Sequence, residues 1–199
     1  MSYIVAATGN QHKLEEYARL LADQDIEVKS LNDYPNYPEP EENGSSFKEN
    51  ASIKAAAASK YCAVPAFADD SGLEVEALDG RPGIYSSRYA PTDAERIAKL
   101  LKELEGKENR RARFVCVIAI AFNGEVIETF EGEVTGTILL EPRGENGFGY
   151  DPVFQPDGFD KSFAELTGEE KNRISHRANA YAKALEFIED ELAVLGGGF

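Results

Sequence analysis

Cysteine is nearly absent from this 199-residue chain. There are two, Cys62 and Cys116, each alone inside an apolar stretch and without metal-ligand spacing. They read as buried thiols in a reducing, cytoplasmic compartment. No apolar run is long enough to span a membrane. The opening residues, MSYIVAATGN, carry no basic stretch ahead of their apolar ones, so a secretory leader is not expected. Positive charge is scarce as well: 21 Lys and Arg stand against 36 Asp and Glu, for a formal net charge of −15. So acidic a surface disfavours non-specific contact with nucleic acid or anionic lipid, and neither is expected as a partner. A small anionic ligand is not excluded, because local cations, backbone amides or a bound metal override the global field at short range. Internal repeats, low-complexity tracts and clean linkers are also missing, so residues 1–199 read as one large domain or two small lobes.

What is present follows an α/β pattern. Residues 3–7 form a short apolar strand running into the turn TGN, and Leu14, Tyr17, Ala18 and Leu21 recur at helical spacing over 11–23. A second strand is expected at 26–30, followed by the loop NDYPNYPEPEENG. Ser46 and Glu49 have capping-box spacing and open a helix over 46–61. Residues 66–69 form a short strand that ends at DDSG, and RPGIYSSRYAP is irregular. Thr92 begins an amphipathic helix with Ile97, Leu100, Leu101 and Leu104 on its apolar face. RARFVCVIAIAF is a long buried strand, and Asn123-Gly124 marks a hairpin. GEVIETFEGEVTGTILL supplies the return strand, with length for one more. A glycine-rich loop, LEPRGENGFGYDPVF, ends in a short strand. Thr167 and Glu170 cap a last helix over 168–193, and GGGF reads as a frayed tail. Early alternation of strands and helices, with a hairpin between, predicts an α/β fold with a mixed sheet.

Four stretches carry groups that do chemistry. ATGNQHK places Gly9 and Asn10 between a strand and a helix, where backbone amides, Thr8, Asn10 and Lys13 form an anion cradle. The ordinary alternative is a turn in which Asn10 caps the helix. It is not a Walker A loop, which needs a second glycine and a Lys-Ser/Thr pair. In FADDSGL, Asp69 and Asp70 stand side by side; adjacent like charges require solvent or a cation, and a hard cation such as magnesium takes few carboxylates and shares its other sites with water and phosphate. Glu39, Glu41 and Glu42 are a second supply of oxygen ligands. GENGFGYDP does not sit between a strand and a long helix, so it is no dinucleotide fingerprint. It presents Phe148 and Tyr150 beside Asp151, a ring and a carboxylate suited to a flat heterocycle, or else core aromatics at a strand entry. KNRISHR gathers Lys171, Arg173, His176 and Arg177, with Lys171 and Ser175 on one helical face; a solvated basic face is its alternative.

Taken together and in order, ATGNQHKLEEY, GSSFKENASIKA, ADDSGLEVEALDGRPGIYSSRYA, GFGYDPVF and SFAELTGEEKNRISHR resemble the inosine triphosphate pyrophosphatase family, over residues 3–180. The resemblance implies two lobes around a long central mixed β-sheet, with the active site in the cleft between them. It implies a homodimer, a magnesium requirement and hydrolysis of ITP, dITP and XTP to the monophosphate and pyrophosphate. Carried over residue by residue, Thr8, Gly9, Asn10, Gln11, His12 and Lys13 would hold the triphosphate, and Lys54 would reach it. Asp70 would be the catalytic carboxylate and a metal ligand, with Glu41 or Glu42, and Asp69, as further metal carboxylates. Ser71 would touch the substrate. Phe148, Gly149, Tyr150, Asp151, Lys171, His176 and Arg177 would recognise the base and its flanks. His176 and Arg177 would donate to the O6 acceptor of an oxopurine and Asp151 would accept from N1–H. A related pyrophosphatase for modified pyrimidine or methylated nucleotides, and a nucleotide sensor without turnover, are the rival readings.

Overall fold

The structure, a computed structural model, describes residues 3–20 and 27–195. The expected helical residues 21–23, strand residue 26 and tail 196–199 lie outside the described residues. Among the described residues the strands and α-helices follow one another as β1 (Tyr3–Ala6), α1 (Gln11–Leu20), β2 (Glu27–Ser30), α2 (Phe47–Cys62), β3 (Ala66–Val75), α3 (Asp93–Glu103), β4 (Arg111–Phe122), β5 (Glu125–Ile138), β6 (Phe154–Pro156), α4 (Gly168–Ile174) and α5 (His176–Leu195). The strands hydrogen-bond in the order β2–β1–β3–β4–β5–β6. β1 runs parallel to both β2 and β3, whereas β5 and β6 are antiparallel. The sheet is therefore mixed and the fold α/β, as the element pattern predicts. None of the described helices is long and apolar enough to cross a membrane.

Local chemistry explains most of the boundaries. Asn123 and Gly124 both have positive φ, 53° and 83°, the signature of a type I′ turn that matches the twist of the flanking strands β4 and β5. Thr92 and Thr167 form reciprocal capping boxes with Glu95 and Glu170, each satisfying two otherwise orphan backbone donors. At α2 the box is only half made. Ser46 accepts from Glu49 N, but the Glu49 carboxylate turns to Ser45, taking its N–H and hydroxyl.

Three elements differ from the sequence reading. β3 does not stop at the aspartates but continues through Ser71 and Gly72 to Val75. β5 is one strand of 14 residues rather than two. The last helix is two helices, because Ser175 is extended (φ −69°, ψ 154°) and breaks the helical run between α4 and α5. Of the cysteines, Cys116 is buried as expected, whereas Cys62 is only half-buried.

The chain divides into two compact units. One gathers Met1–Asp70, Cys116–Gly132 and Ala178–Phe199. Its core joins Ile4, Ala6, Tyr17, Phe67, Cys116, Ile118, Tyr181 and Ala184, with Tyr17 edge-on to Phe67 at 5.1 Å. The other gathers Ser71–Val115 and Glu133–Arg177. There Leu73, Val75, Leu100, Ile138, Phe154 and Phe163 are buried around Phe114, whose ring lies 4.6 Å from Phe154 and 5.9 Å from Phe163. Burying each such side chain contributes roughly 1.5–3 kcal/mol.

In the second unit a polar clip fastens the end of β6. Asp157 accepts two parallel bonds from Arg111, at 2.7 and 2.8 Å, and one from the Thr135 hydroxyl at 2.7 Å. These bonds favour the carboxylate and pull its pKa down to about 2. A depressed carboxylate stabilises the folded state above its unfolded pKa, and that contribution disappears as pH falls through the folded value. Asp157→Asn is thus expected to melt below the wild type by a constant margin at neutral pH, with the margin closing between about pH 4 and pH 2. Both partners are substantially exposed, so screening keeps the effect small. Thermal melts from pH 7 to pH 2 test this; a margin that persists at pH 2 would assign it to packing.

Candidate active site

The first unit carries two lysine–aspartate pairs. After β1, Ala7 N–H donates to the Phe67 carbonyl at 2.7 Å, which ties the TGN turn to β3. Asn10 Oδ1 accepts from His12 N–H at 3.0 Å and from Lys13 N–H at 3.3 Å, and Asn10 N–H donates to Thr8 Oγ1 at 3.1 Å. Asn10 therefore does cap α1, the ordinary alternative for this turn. An anion arriving here meets exposed Gly9, Asn10 and Gln11 and the ammonium of Lys13. Lys13 Nζ lies 2.8 Å from Asp69 Oδ2, and that carboxylate is fully buried, with Cys116 Sγ 4.0 Å from the same oxygen.

Asp70 pairs with a different lysine. Successive side chains of a strand point to opposite faces, so extension of β3 through DDSG separates carboxylates that a turn would have crowded together. Repulsion is relieved by a lysine paired with each carboxylate. Lys54 reaches Asp70 Oδ1 at 3.3 Å and Glu42 Oε2 at 3.1 Å, so one ammonium links α2, β3 and the acidic loop. Burial pushes the Asp70 carboxyl above its ordinary pKa against the pull of Lys54 and Lys13. Burial also opposes the Lys54 charge, but Asp70, Asp69 and Glu42 more than offset it and hold its pKa above the usual lysine value. Asp70 Oδ2 is buried and has no hydrogen-bond partner among the described residues.

The loop acids divide. Glu42 joins Lys54, Glu41 closes a turn by accepting Asn43 N–H on its carbonyl, and Glu39 approaches Gly9. Among the described residues no three His, Cys, Asp or Glu side chains are gathered to hold a metal ion.

The second unit collects the other sequence candidates. Arg177, buried at the start of α5, donates to Ser71 Oγ at 3.1 Å and lies 5.7 Å over the half-buried Phe148 ring. The Lys171 ammonium is 5.0 Å from the same ring. It also contacts Asp151 Oδ2 at 2.7 Å, with both side chains almost wholly buried. Asp151 Oδ2 accepts Phe148 N–H at 3.0 Å as well. Asp151 thereby shapes the turn that presents Phe148. A Cβ on Gly147 would fall on its carboxylate oxygen, so residue 147 has to be glycine for the turn to close. His176 is buried and stacks on Phe114 at 4.8 Å, 13° from parallel. Tyr150 is a core residue, its hydroxyl donating to the Ser86 carbonyl at 2.8 Å.

Two supporting residues escape sequence reasoning. Ser86 Oγ accepts Leu73 N–H at 2.9 Å and donates to the Gly83 carbonyl at 2.6 Å, fixing β3 just beyond Ser71. Asp93 accepts Gly149 N–H at 2.7 Å. In sequence the first lies in an irregular stretch and the second is one more acid in a helical first turn, so neither carries a signal.

Comparison with known proteins supplies the class. Residues 4–187 match the sequence model of the Ham1 family, and the chain belongs to that family. This bears out the resemblance to inosine triphosphate pyrophosphatases. A Deinococcus deserti protein named dITP/XTP pyrophosphatase is 52% identical over 90% of this chain and 86% of its own. One of the same name from Geobacillus kaustophilus is 50% identical over 99% and 98% of the two chains. Among solved structures, a HAM1 protein from Coxiella burnetii superposes with a TM-score of 0.88 at 43% identity, covering 96% of this chain and 100% of that one.

Proposed function

We propose that this chain is a magnesium-dependent nucleoside-triphosphate pyrophosphatase. It would hydrolyse ITP, dITP and XTP to the monophosphate and pyrophosphate, clearing non-canonical purines from the nucleotide pool as a cytoplasmic homodimer. The relatives' names, at half identity over nearly the full length of both chains, support the substrate class. The observation that carries the chemistry is Asp70: a half-buried carboxylate with raised proton affinity, one oxygen held by Lys54 and the other buried without a partner among the described residues.

Lys13 and Lys54 would receive the triphosphate, their ammonium groups turning from carboxylates to phosphate oxygens. Asp70 would orient a water and take its proton as the water oxygen bonds to the α-phosphorus. The bond from that phosphorus to the bridging oxygen breaks, and the pyrophosphate leaves with the bonding electrons. The lysines stabilise the charge that develops on the phosphoryl oxygens. Asp70 Oδ2 and Glu42, the two carboxylates that share Lys54, suit a hard cation, and bound magnesium would supply Lewis-acid polarisation of the phosphates. Asp69, buried against Lys13, fits the aiming of that lysine better than direct ligation. On the base side, Phe148 would stack on the purine and Arg177 would donate toward O6. Adenine, with an amino donor at that position, would leave buried donors unpaired at a cost of about 1–3 kcal/mol each. Guanine shares O6 and N1–H with hypoxanthine, so its exclusion falls to pocket shape.

Chromatography of an ITP digest tests this reading. IMP and pyrophosphate are expected in equal amounts, with ATP and modified pyrimidine nucleotides turned over far more slowly. IDP with free phosphate, a preference for a pyrimidine, or no turnover of any nucleotide would sink it.

A further inference from the structure

We infer that Asp93, at the start of α3, is a specificity-determining positioning residue that holds the turn Phe148–Asp151 in its base-reading shape. The inference rests on the reading of that turn as the base side of the site. The turn is closed from within by Asp151, whose N–H donates to the Phe148 carbonyl at 3.3 Å and whose carboxylate accepts Phe148 N–H. Those bonds hold the carbonyl of the Phe148–Gly149 peptide and leave its N–H to be held from outside. Asp93 Oδ2 does so, accepting Gly149 N–H at 2.7 Å. The other carboxylate oxygen of Asp93 is held by Arg96 Nη1 at 2.7 Å, and Arg96 Nε is anchored in turn on the Ala90 carbonyl at 2.9 Å. A rigid helix start thus grips the corner of the turn through a charge-assisted bond. Rotation of that peptide would swing Phe148, the ring that lies against the Lys171 and Arg177 cations. Asp93 touches no reacting atom. Its effect falls on which base is accepted, and so on KM and on the ratio between substrates.

Three readings on the full-length protein test the assignment: amide-proton exchange at Gly149, kcat and KM for ITP and ATP, and the thermal melt. Asp93→Ala is expected to speed Gly149 exchange and to lower kcat/KM for ITP roughly tenfold, mostly through KM, as one charge-assisted bond is lost. ATP should change less, so the ratio narrows. Asp93→Asn keeps an acceptor for Gly149 N–H and is expected to hold the ratio within about twofold of wild type. If Asp93→Ala does not fold, the same readings on Arg96→Gln decide, with the same direction and a smaller change. A wild type that does not prefer ITP to ATP sinks the base-side reading and this inference together. A wild type that does prefer ITP, with a variant that melts lower yet keeps the ratio, overturns the role of Asp93 alone.

Discussion

Asp70→Asn is expected to lose two orders of magnitude or more of ITP hydrolysis, the scale of a general-base contribution, while melting at or above the wild-type temperature. The substitution keeps the shape of the side chain. Asparagine Oδ1 can still accept from Lys54, so the link between α2 and β3 survives. What disappears is the group that takes a proton from water. Stability should not fall, because burial penalises the Asp70 charge in the folded state. Activity falling with a normal melt is the signature of a reacting group. Near wild-type turnover with a normal melt would remove Asp70 from catalysis, and Asp69 would become the next carboxylate to replace.

Lys171→Met is expected to destabilise the fold by about 3–5 kcal/mol, the usual cost of removing one partner of a buried ion pair. The Lys171 ammonium lies 2.7 Å from a carboxylate that is almost wholly buried, and the methionine keeps the length and apolar character of the stem. The loss therefore reports on charge left in a low-dielectric site. Neutralising the partner as well, in Lys171→Met with Asp151→Asn, is expected to restore part of that stability, since no uncompensated charge then remains from this pair. Urea denaturation of the wild type, the single variant and the double variant measures both steps. A single-variant loss below about 1 kcal/mol would place the pair among ordinary surface bridges.

Much of the fold is legible in local chemistry. Thr92, Thr167 and Asn123-Gly124 mark their boundaries because caps and type I′ turns depend on a few adjacent side chains. The strand through DDSG is not legible, because Asp, Ser and Gly are poor strand formers and only pairing with neighbouring strands overrides that preference. Gly132 and Gly136 suggest a break in β5 that the same pairing spans. Ser175 divides the last helix without proline or glycine to announce it. The candidate site shows a similar split. Lys13, Lys54, Asp70, Lys171 and Arg177 stand out by charge and motif, and the structure gives each a partner. Asp93 and Ser86 act on backbone groups distant in sequence, and a single chain read in order does not pair such positions.

The alternation of side chains along β3 has a consequence for how this gene can drift. Loss of a single codon just upstream of Asp69, such as that of Ala68, would flip the outlook of both aspartates and part each from its own lysine, although both acids and the net charge remain. A two-codon change restores the alternation but carries both carboxylates about 6–7 Å along the strand, out of reach of lysines that meet them at 2.8 and 3.3 Å. The length of β3 ahead of Asp69 is therefore as constrained as the two acids themselves, a constraint that no substitution count would reveal.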